Sequence, residues 1–543
     1  MSHAFIDGHS TDATVVHMAV QGTGRERATS ASRLSQLDDT GSDHVLIVGA
    51  GFAGLGMGIR LKQSGIHDFT ILERSERLGG TWRDNTYPGV ACDIPSHLYS
   101  YSFEPNPYWS RLFAPQEEIL AYLEHCADKY GVRQHIRFGT AVTGASFDER
   151  TGLWTVTTSE GTTLRGRVLV SGSGHALSKP VYPDVPGRER FRGKTMHSSR
   201  WDHTYPLARK TVAVIGTGAS AVQIVPSIAN DVERMFVFQR TAAWVQAKPE
   251  HLHSEREQQL FRDRPYLQKL VRGAIYSAFE TLALGYVVEP RLNRLRELAC
   301  LRFLRQTVAD PVLREKLTPN FRLGCKRILV SSDYYPALQR ENVELVTEPI
   351  AEVREHSIVT GDGKERALDA IVYATGFEAS EAKPPFPITG RAGLDLKEVW
   401  KQGVTAYGGT AISGFPNAFL LVGPNTILGH SSMIFMMESQ FAYVLDAIRT
   451  IRSRRLKYVE VRRDVEGAYN DRLQRRLART VWSSGGCVSW YLTRSGKNTV
   501  TWPGFTFEFR HQMRRFDAES YVLAPRSEVA IGELRVTERE QQR

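Results

Sequence analysis

Hydrophobic residues fall along this chain in short unbroken runs as well as in helical stripes. Val45-Leu46-Ile47-Val48 is one such run, too short for a helix, and it breaks directly into Gly49-Ala50-Gly51-Phe52-Ala53-Gly54. Apolar runs of about four to eight residues bounded by glycine suit strands buried on both faces of a parallel sheet. A helix-compatible stretch from Leu55 to Lys62 follows, and a second strand, Phe69 to Leu72, ends at Glu73. The spacing predicts a strand–helix–strand unit. The same order then returns. A strand from Thr211 to Ile215 meets Gly216-Thr217-Gly218-Ala219-Ser220-Ala221, then a helix from Val222 to Ala229 and a strand from Met235 to Phe238 that runs into Gln239-Arg240-Thr241.

From about Trp244 to Arg322 the pattern changes. Glycine becomes scarce, Arg and Leu frequent, and the spacing helical, which predicts a helical subdomain. Its most apolar stretch, Leu270 to Val288, is interrupted by Arg272 and Glu280. A buried helix is therefore expected rather than a transmembrane segment, with peripheral membrane contact left open. Asp369 to Phe377 reads as a strand and a glycine turn that return the chain from the second unit to the first. Met436 to Arg452 reads as one long helix. The polar stretch before His44 lacks the apolar core of a signal peptide and is expected to be a flexible extension. The last, charged residues are expected to fray.

Composition adds limits. With 543 residues, 41% of them hydrophobic and 24% charged, the chain can bury a sizeable core and is neither a disordered nor a disulfide-scaffold protein. A net charge of +10 would suit an anionic partner, yet no Lys/Arg-dense arm or stripe accompanies it, so no nucleic-acid partner is expected. A protein that binds phosphorylated cofactors accounts for that charge equally well. The five cysteines are odd in number, widely spaced and without a C-x-x-C pair. A disulfide framework, a zinc ribbon and a dithiol redox centre are therefore not expected, no metal is assigned, and a reducing, cytoplasmic location is the expectation. Nothing in the sequence sets the oligomeric state.

The two glycine motifs carry the first chemistry. Gly49, Gly51 and Gly54, with Phe52 and Ala53 between them, and Gly216, Gly218 and Ala221 each sit between a strand and a helix. That context lets a tight turn bring backbone close to a pyrophosphate on a helix N-terminus. The residue ending the next strand separates the ligands. Glu73 can accept hydrogen bonds from a ribose and would repel a 2′-phosphate, whereas Arg240 suits one. The first unit is thus expected to bind FAD (or NAD) and the second NADPH. Hydride would pass from NADPH to flavin and, with no cysteine pair beside the first unit, onward to oxygen. The fold class is α/β: two Rossmann-like domains with a helical subdomain inserted in the second. The expected divisions are a 1–43 extension, an FAD domain of 44–185 and 375–515, an NADP domain of 186–243 and 323–374, a 244–322 helical subdomain, and a 516–543 tail.

Two further strings narrow the class. Phe191, Gly193, His197, Trp201 and Asp202 spell F-x-G-x-x-x-H-x-x-x-W-D, and Gly79 to Asp93 spell G-G-x-W-x-x-x-x-Y-P-G-x-x-x-D. Together with the paired glycine motifs they closely resemble the type I Baeyer–Villiger monooxygenases, over about His44 to Arg510. The resemblance implies an NADPH-reduced FAD whose C4a peroxide attacks a ketone to give an ester or lactone, with O2 and a small-molecule ketone as reactants. An S- or N-oxygenating flavin-containing monooxygenase is the runner-up. The resemblance also implies roles. Arg327 is the catalytic arginine, as a cation that cannot act as an acid near neutral pH. Asp93 is its carboxylate partner beside the flavin. Lys326 joins Arg240 at the 2′-phosphate. Thr81, Trp82, Tyr99 and Val142 are carried to the flavin pocket. Thr217, Ser220, Gln223 and Thr241 are carried to the nicotinamide cofactor, and Trp490 to the loop over it. His197 is expected to act in the domain linker. The run from Tyr491 to Asn498 departs from the family's usual G-x-N-x-P-G-K loop.

Overall fold

In the computed structural model, residues 43–174, 179–380 and 383–526 are described; Met1–Ser42 and residues 527–543 lie outside them, and with them the expected extension and the end of the tail. Two five-stranded parallel sheets organise the rest. The first runs, across the sheet, Ala418–Leu420, Val168–Ser171, Val45–Val48, Phe69–Leu72, Ile136–Arg137. The second runs Val343–Val346, Arg234–Phe238, Thr211–Ile215, Ala370–Tyr373, Lys194–His197. Every pairing in both is parallel. Val45–Val48 and Val168–Ser171 are almost wholly buried, which is why those segments read as apolar runs rather than alternating ones.

The helix after each central strand is Phe52–Gln63 in the first sheet and Ala221–Ile228 in the second. The first is buried along most of its length beneath the helix Met433–Ser453; a Cβ at Gly56 would lie 2.5 Å from the Phe441 ring. A smaller mixed sheet packs on the first unit: Val142–Asp148, Leu153–Thr158 and Thr163–Gly166 pair antiparallel, and Ile388–Thr389 adds to Val142–Asp148 in parallel. The three-stranded meander Ile350–Val353, Ser357–Thr360, Glu365–Ala367 packs on the second.

Two chain segments link the units side by side. Pro180 bridges Phe377, Val181 N donates to Gly376 O (2.9 Å), and Glu378 N donates to Lys179 O (3.0 Å). The segment Trp244–Arg322 is helical as expected, with helices Glu255–Asp263, Pro265–Ala283, Arg294–Thr307 and Pro311–Lys316.

Two expectations are corrected. Leu270 to Val288 forms a helix ending in a π-turn, Leu284–Val288, but it is buried on one side only: Glu280, Ala283 and Tyr286 are buried, whereas Leu270 is 65% and Val288 57% exposed. Ile275, Tyr276, Phe279 and Leu282 pack against the first unit's core from that side, and an amphipathic helix on a surface shows the same apolar count as a fully buried one. No helix among the described residues is long and apolar enough to cross a membrane. The tail also does not fray at its start. Tyr521–Pro525 pairs antiparallel with Leu456–Val461, and Phe516 and Tyr521 are buried. A short aromatic strand hidden in charged sequence lacks the length that periodicity needs.

Candidate active site

Both glycine turns are shaped for a close ligand. Gly49 has φ +94°, and a Cβ on Gly54 would lie 1.8 Å from Gly49 O, so only glycine lets strand and helix meet there. In the second turn Gly216 has φ +116°, while a Cβ on Gly218 would meet nothing within 4 Å, leaving its backbone open to approach. Ala221 is fully buried as the first helical residue. The two cradles fit dinucleotide pyrophosphates.

The residues that end the second strands behave as their charges dictate. The Glu73 carboxylate is buried and accepts from Ala50 N (2.8 Å), Ser75 N and Arg83 Nη1 (both 3.0 Å), which fixes it beside the first glycine turn. Arg240 is exposed, and no carboxylate pairs with it or with Lys326 among the described residues. Burial, and then the neighbouring Arg240 charge, lower the Lys326 pKa below that of an ordinary lysine. Two cations held close without an anion make a receptor for a doubly charged phosphate. Thr217 Oγ1 donates to Thr241 O (3.1 Å), closing the turn between them.

The string Gly79 to Asp93 joins the units. Trp82 is buried and donates from Nε1 to Tyr99 Oη (3.1 Å), and Phe52 packs edge-on against Tyr99 at 5.4 Å. Thr81, itself exposed, opens the short helix carrying Trp82. Val142 begins its strand and packs on the apolar cluster around Val48 and Leu72. Tyr87 Oη donates to Gln223 Oε1 and Gln223 Nε2 to Ala91 O, both at 3.0 Å, so Gln223 in this structure rivets the second unit's helix to the first unit's loop. Ser220 caps that helix start without a side-chain bond to it. A Cβ at Gly89 would lie 2.1 Å from Ser227 Oγ, which explains the glycine after Pro88.

Asp93, at the end of the string, forms a two-pronged pair with Arg327: Nε to Oδ2 at 2.7 Å and Nη2 to Oδ1 at 2.6 Å. Side-chain exposure of 32% and 25% leaves both reachable. The Asp93 charge pushes the Arg327 pKa further up, against burial, so the guanidinium stays cationic at any accessible pH. Around it lie aromatic residues that the sequence reading missed. Tyr491 and Tyr286 are fully buried and act electrostatically on Arg327 or feel it, and Trp482 sits between them at 6.3 and 6.0 Å ring to ring. Tyr286 comes from the helical segment and Trp482 and Tyr491 from a late stretch of the chain, so no local spacing announces the three together. Trp490 stands beside Tyr491 at 4.5 Å and is 38% exposed. The divergent run after it is a hairpin: Leu492 bridges Asn498 and Thr493 N donates to Lys497 O.

The cysteines make one bond that the sequence reading did not foresee. Cys325, next to Lys326-Arg327, is disulfide-bonded to Cys487 at the base of the Trp490 loop. The two lie 162 residues apart in sequence, and a pairing over that distance has no signature in spacing alone. Cys92, Cys126 and Cys300 are free and buried.

The linker string sits on the two-chain connection. His197 ends the edge strand Lys194–His197, paired with Tyr373. It is 1% exposed, its Nδ1 accepts from Ser199 N (3.2 Å), and its ring packs on Tyr182 and Phe377, one from each connecting segment. Burial lowers its pKa, favouring the neutral ring. Phe191 is buried, and a Cβ on Gly193 would lie 2.5 Å from Asp369 O. Asp202 pairs with Lys194, and Trp201 packs on the second unit's core.

Residues 42–297 match the flavin-binding monooxygenase-like family. A Baeyer-Villiger monooxygenase of Pseudomonas aeruginosa is 49% identical over 480 residues, covering 88% of this chain and 91% of that protein. The crystal structure of OTEMO complexed with FAD and NADP superposes with TM-score 0.80 at 29% identity, covering 89% of this chain and all of that one. Oxidised steroid monooxygenase bound to NADP gives TM-score 0.78 at 32% identity, covering 89% and 99%.

Proposed function

This chain belongs to the Baeyer–Villiger monooxygenases, and from that premise we propose that it inserts one oxygen beside the carbonyl of a lipophilic ketone, with Arg327 and Asp93 as the residues that manage the charge. It is an FAD-dependent, NADPH-consuming monooxygenase of α/β class. Bound NADPH supplies the hydride, and bound FAD supplies the oxygen-activating centre. The observation that carries the residue assignment is the two-pronged Arg327–Asp93 pair.

A cation that cannot release a proton holds a developing oxyanion without quenching a nucleophile. Asp93 fixes the guanidinium plane and leaves Nη1 free of that pair to reach the reacting oxygen. Glu73 would orient the FAD ribose. Arg240 and Lys326 would hold the 2′-phosphate, and that pair favours NADPH over NADH. Thr81, Trp82, Tyr99 and Val142 would line the flavin pocket, and Thr217, Ser220, Gln223, Thr241 and Trp490 the nicotinamide cofactor's. Residues 44–185 and 375–515 would carry FAD, 186–243 and 323–374 NADPH, and 244–322 the outer wall of the substrate site. Tyr286, Trp482 and Tyr491 offer that site an aromatic lining suited to a rigid apolar skeleton. We place the enzyme in the cytoplasm, where NADPH is regenerated.

The test is product analysis. Purified protein with NADPH, air and a graded ketone panel should yield esters or lactones one oxygen heavier than the ketone. Arg327→Ala should stay yellow with FAD and lose ester formation by at least about 10²-fold. NADPH consumption that gives hydrogen peroxide alone with every ketone, and oxygenated products only with sulfides or amines, would move the chain to the S/N-oxygenating reading.

A further inference from the structure

The turn that leads into the helical subdomain gathers histidines the oxygenation chemistry does not use. His251, His253 and Glu257 each offer a ligand atom, and all of these atoms lie within 4.8 Å of one another. The backbone explains the convergence. His251 and His253 are two apart on an extended segment held to Ser110–Leu112 by Leu112 N to His251 O and His253 N to Ser110 O, both 2.8 Å. Side chains two apart on such a segment share a face. Their rings are 5.0 Å apart and nearly perpendicular.

Glu257 stands at the third position of the helix Glu255–Asp263. Its Oε2 closes a capping box with Ser254, and its Oε1 is turned to His251 Nε2 at 2.9 Å. The carboxylate is thus fixed before any ligand arrives. The second observation concerns His253. Both its ring nitrogens are buried and have no hydrogen-bond partner. His253 is half-buried, but an imidazole whose two nitrogens are both enclosed and unanswered carries a free-energy penalty that one coordinate bond would relieve. A further carboxylate, Glu118, acts on His253 while its oxygens hold Ser110. The nearby His97 contributes no ligand in this arrangement. Gln268 Nε2 donates to Asn106 O and contacts His97 Nδ1 (3.1 Å), so the neutral His97 ring keeps its proton on Nε2. Lys248, three residues before His251, is already paired with Glu250.

We propose that His251, His253 and Glu257 form a binding site for a divalent zinc ion that clips the entry of the helical subdomain. Two imidazoles and a carboxylate are a ligand set that zinc accepts in tetrahedral sites, with the fourth position left to water. All three ligands lie within one turn and the helix it starts, so the ion pins the first turn of Glu255–Asp263 to the strand before it.

The experiment uses tag-free, FAD-loaded enzyme stripped with a chelator and titrated with Zn²⁺ in competition with a chromophoric chelator. About one equivalent should bind, with a rise in melting temperature and slower amide exchange at residues 255–263. Loss of one ligand should weaken binding at least as much as loss of a supporting residue does, about 10-fold or more. His253→Ala and Glu257→Gln test the half-buried ligand and the cap. His251→Gln, on the exposed side, keeps the test valid where the other two unfold. Cobalt substituted for zinc should give a spectrum without thiolate bands. No saturable binding, unchanged affinity in His251→Gln, or thiolate bands from a cysteine would each overturn the proposal.

Discussion

Lys326 holds a positive charge where both burial and a second cation oppose it. Its proton leaves at a lower pH than that of an ordinary lysine, so the cofactor-free fold gains stability relative to the unfolded chain as pH rises through that lowered value. Binding a 2′-phosphate favours the ammonium and reverses the preference. The KM for NADPH should therefore climb on the alkaline side, and Lys326→Arg, whose charge does not titrate, should flatten that climb in a pH series of initial rates. On the proposed 2′-phosphate contact, Arg240→Ala should cost about 1.5–3 kcal/mol, roughly 10- to 100-fold in KM for NADPH, with NADH little changed. A parallel loss with both cofactors would detach Arg240 from the phosphate. Glu73, Arg240 and the Lys326-Arg327 dipeptide were legible in the sequence because their place after a strand, or within a family string, gives their charge a meaning. Tyr286, Trp482 and Tyr491 were not, because an aromatic residue reads the same in a core as against a reacting centre.

The elements followed their hydrophobic pattern wherever the run was unbroken. The four strands that flank the two glycine turns ended within a residue of the expected limits, since burial on both faces admits no polar interruption. Gly54 shows how one position governs an element: with its Cβ direction 1.8 Å from Gly49 O, Gly54→Ala should give protein that retains no FAD, read from its visible spectrum. The π-turn Leu284–Val288 illustrates the opposite case. Asn293 is buried and donates to Gly285 O (2.7 Å) and Leu323 O (3.1 Å), tying that turn to the segment that carries Arg327. Asn293→Ala leaves two carbonyls unanswered and should lower unfolding free energy by about 1–3 kcal/mol in denaturant titrations. An unchanged midpoint would show that the tie is idle. Helical spacing foretold the helix here, and nothing in it distinguished a buried face from an exposed one.

Across the whole molecule, the Cys325–Cys487 bond joins the arginine segment to the loop bearing Trp490, while Val488 beside it is 85% exposed. A loop so exposed depends on its anchor. Cys487→Ser should lower stability by about 2–4 kcal/mol and raise the KM for NADPH, measured by thermal unfolding and initial rates. Equal melting temperatures with and without a dithiol would show that the bond adds no stability to the isolated enzyme.

The sequence by itself determined the two strand–turn–helix units, their order and the opposite charges that end their second strands. Each rests on contacts among residues close in the chain, a strand, a glycine turn and a helix, where local geometry leaves one outcome. Only the tertiary structure decided which distant residues meet: Asp93 with Arg327, Gln223 with Tyr87, Cys325 with Cys487, and the aromatic residues around the guanidinium. Those meetings depend on how two sheets and a helical insertion dock. Docking is set by the sum of many weak apolar contacts, and no single residue pattern along the chain records that sum.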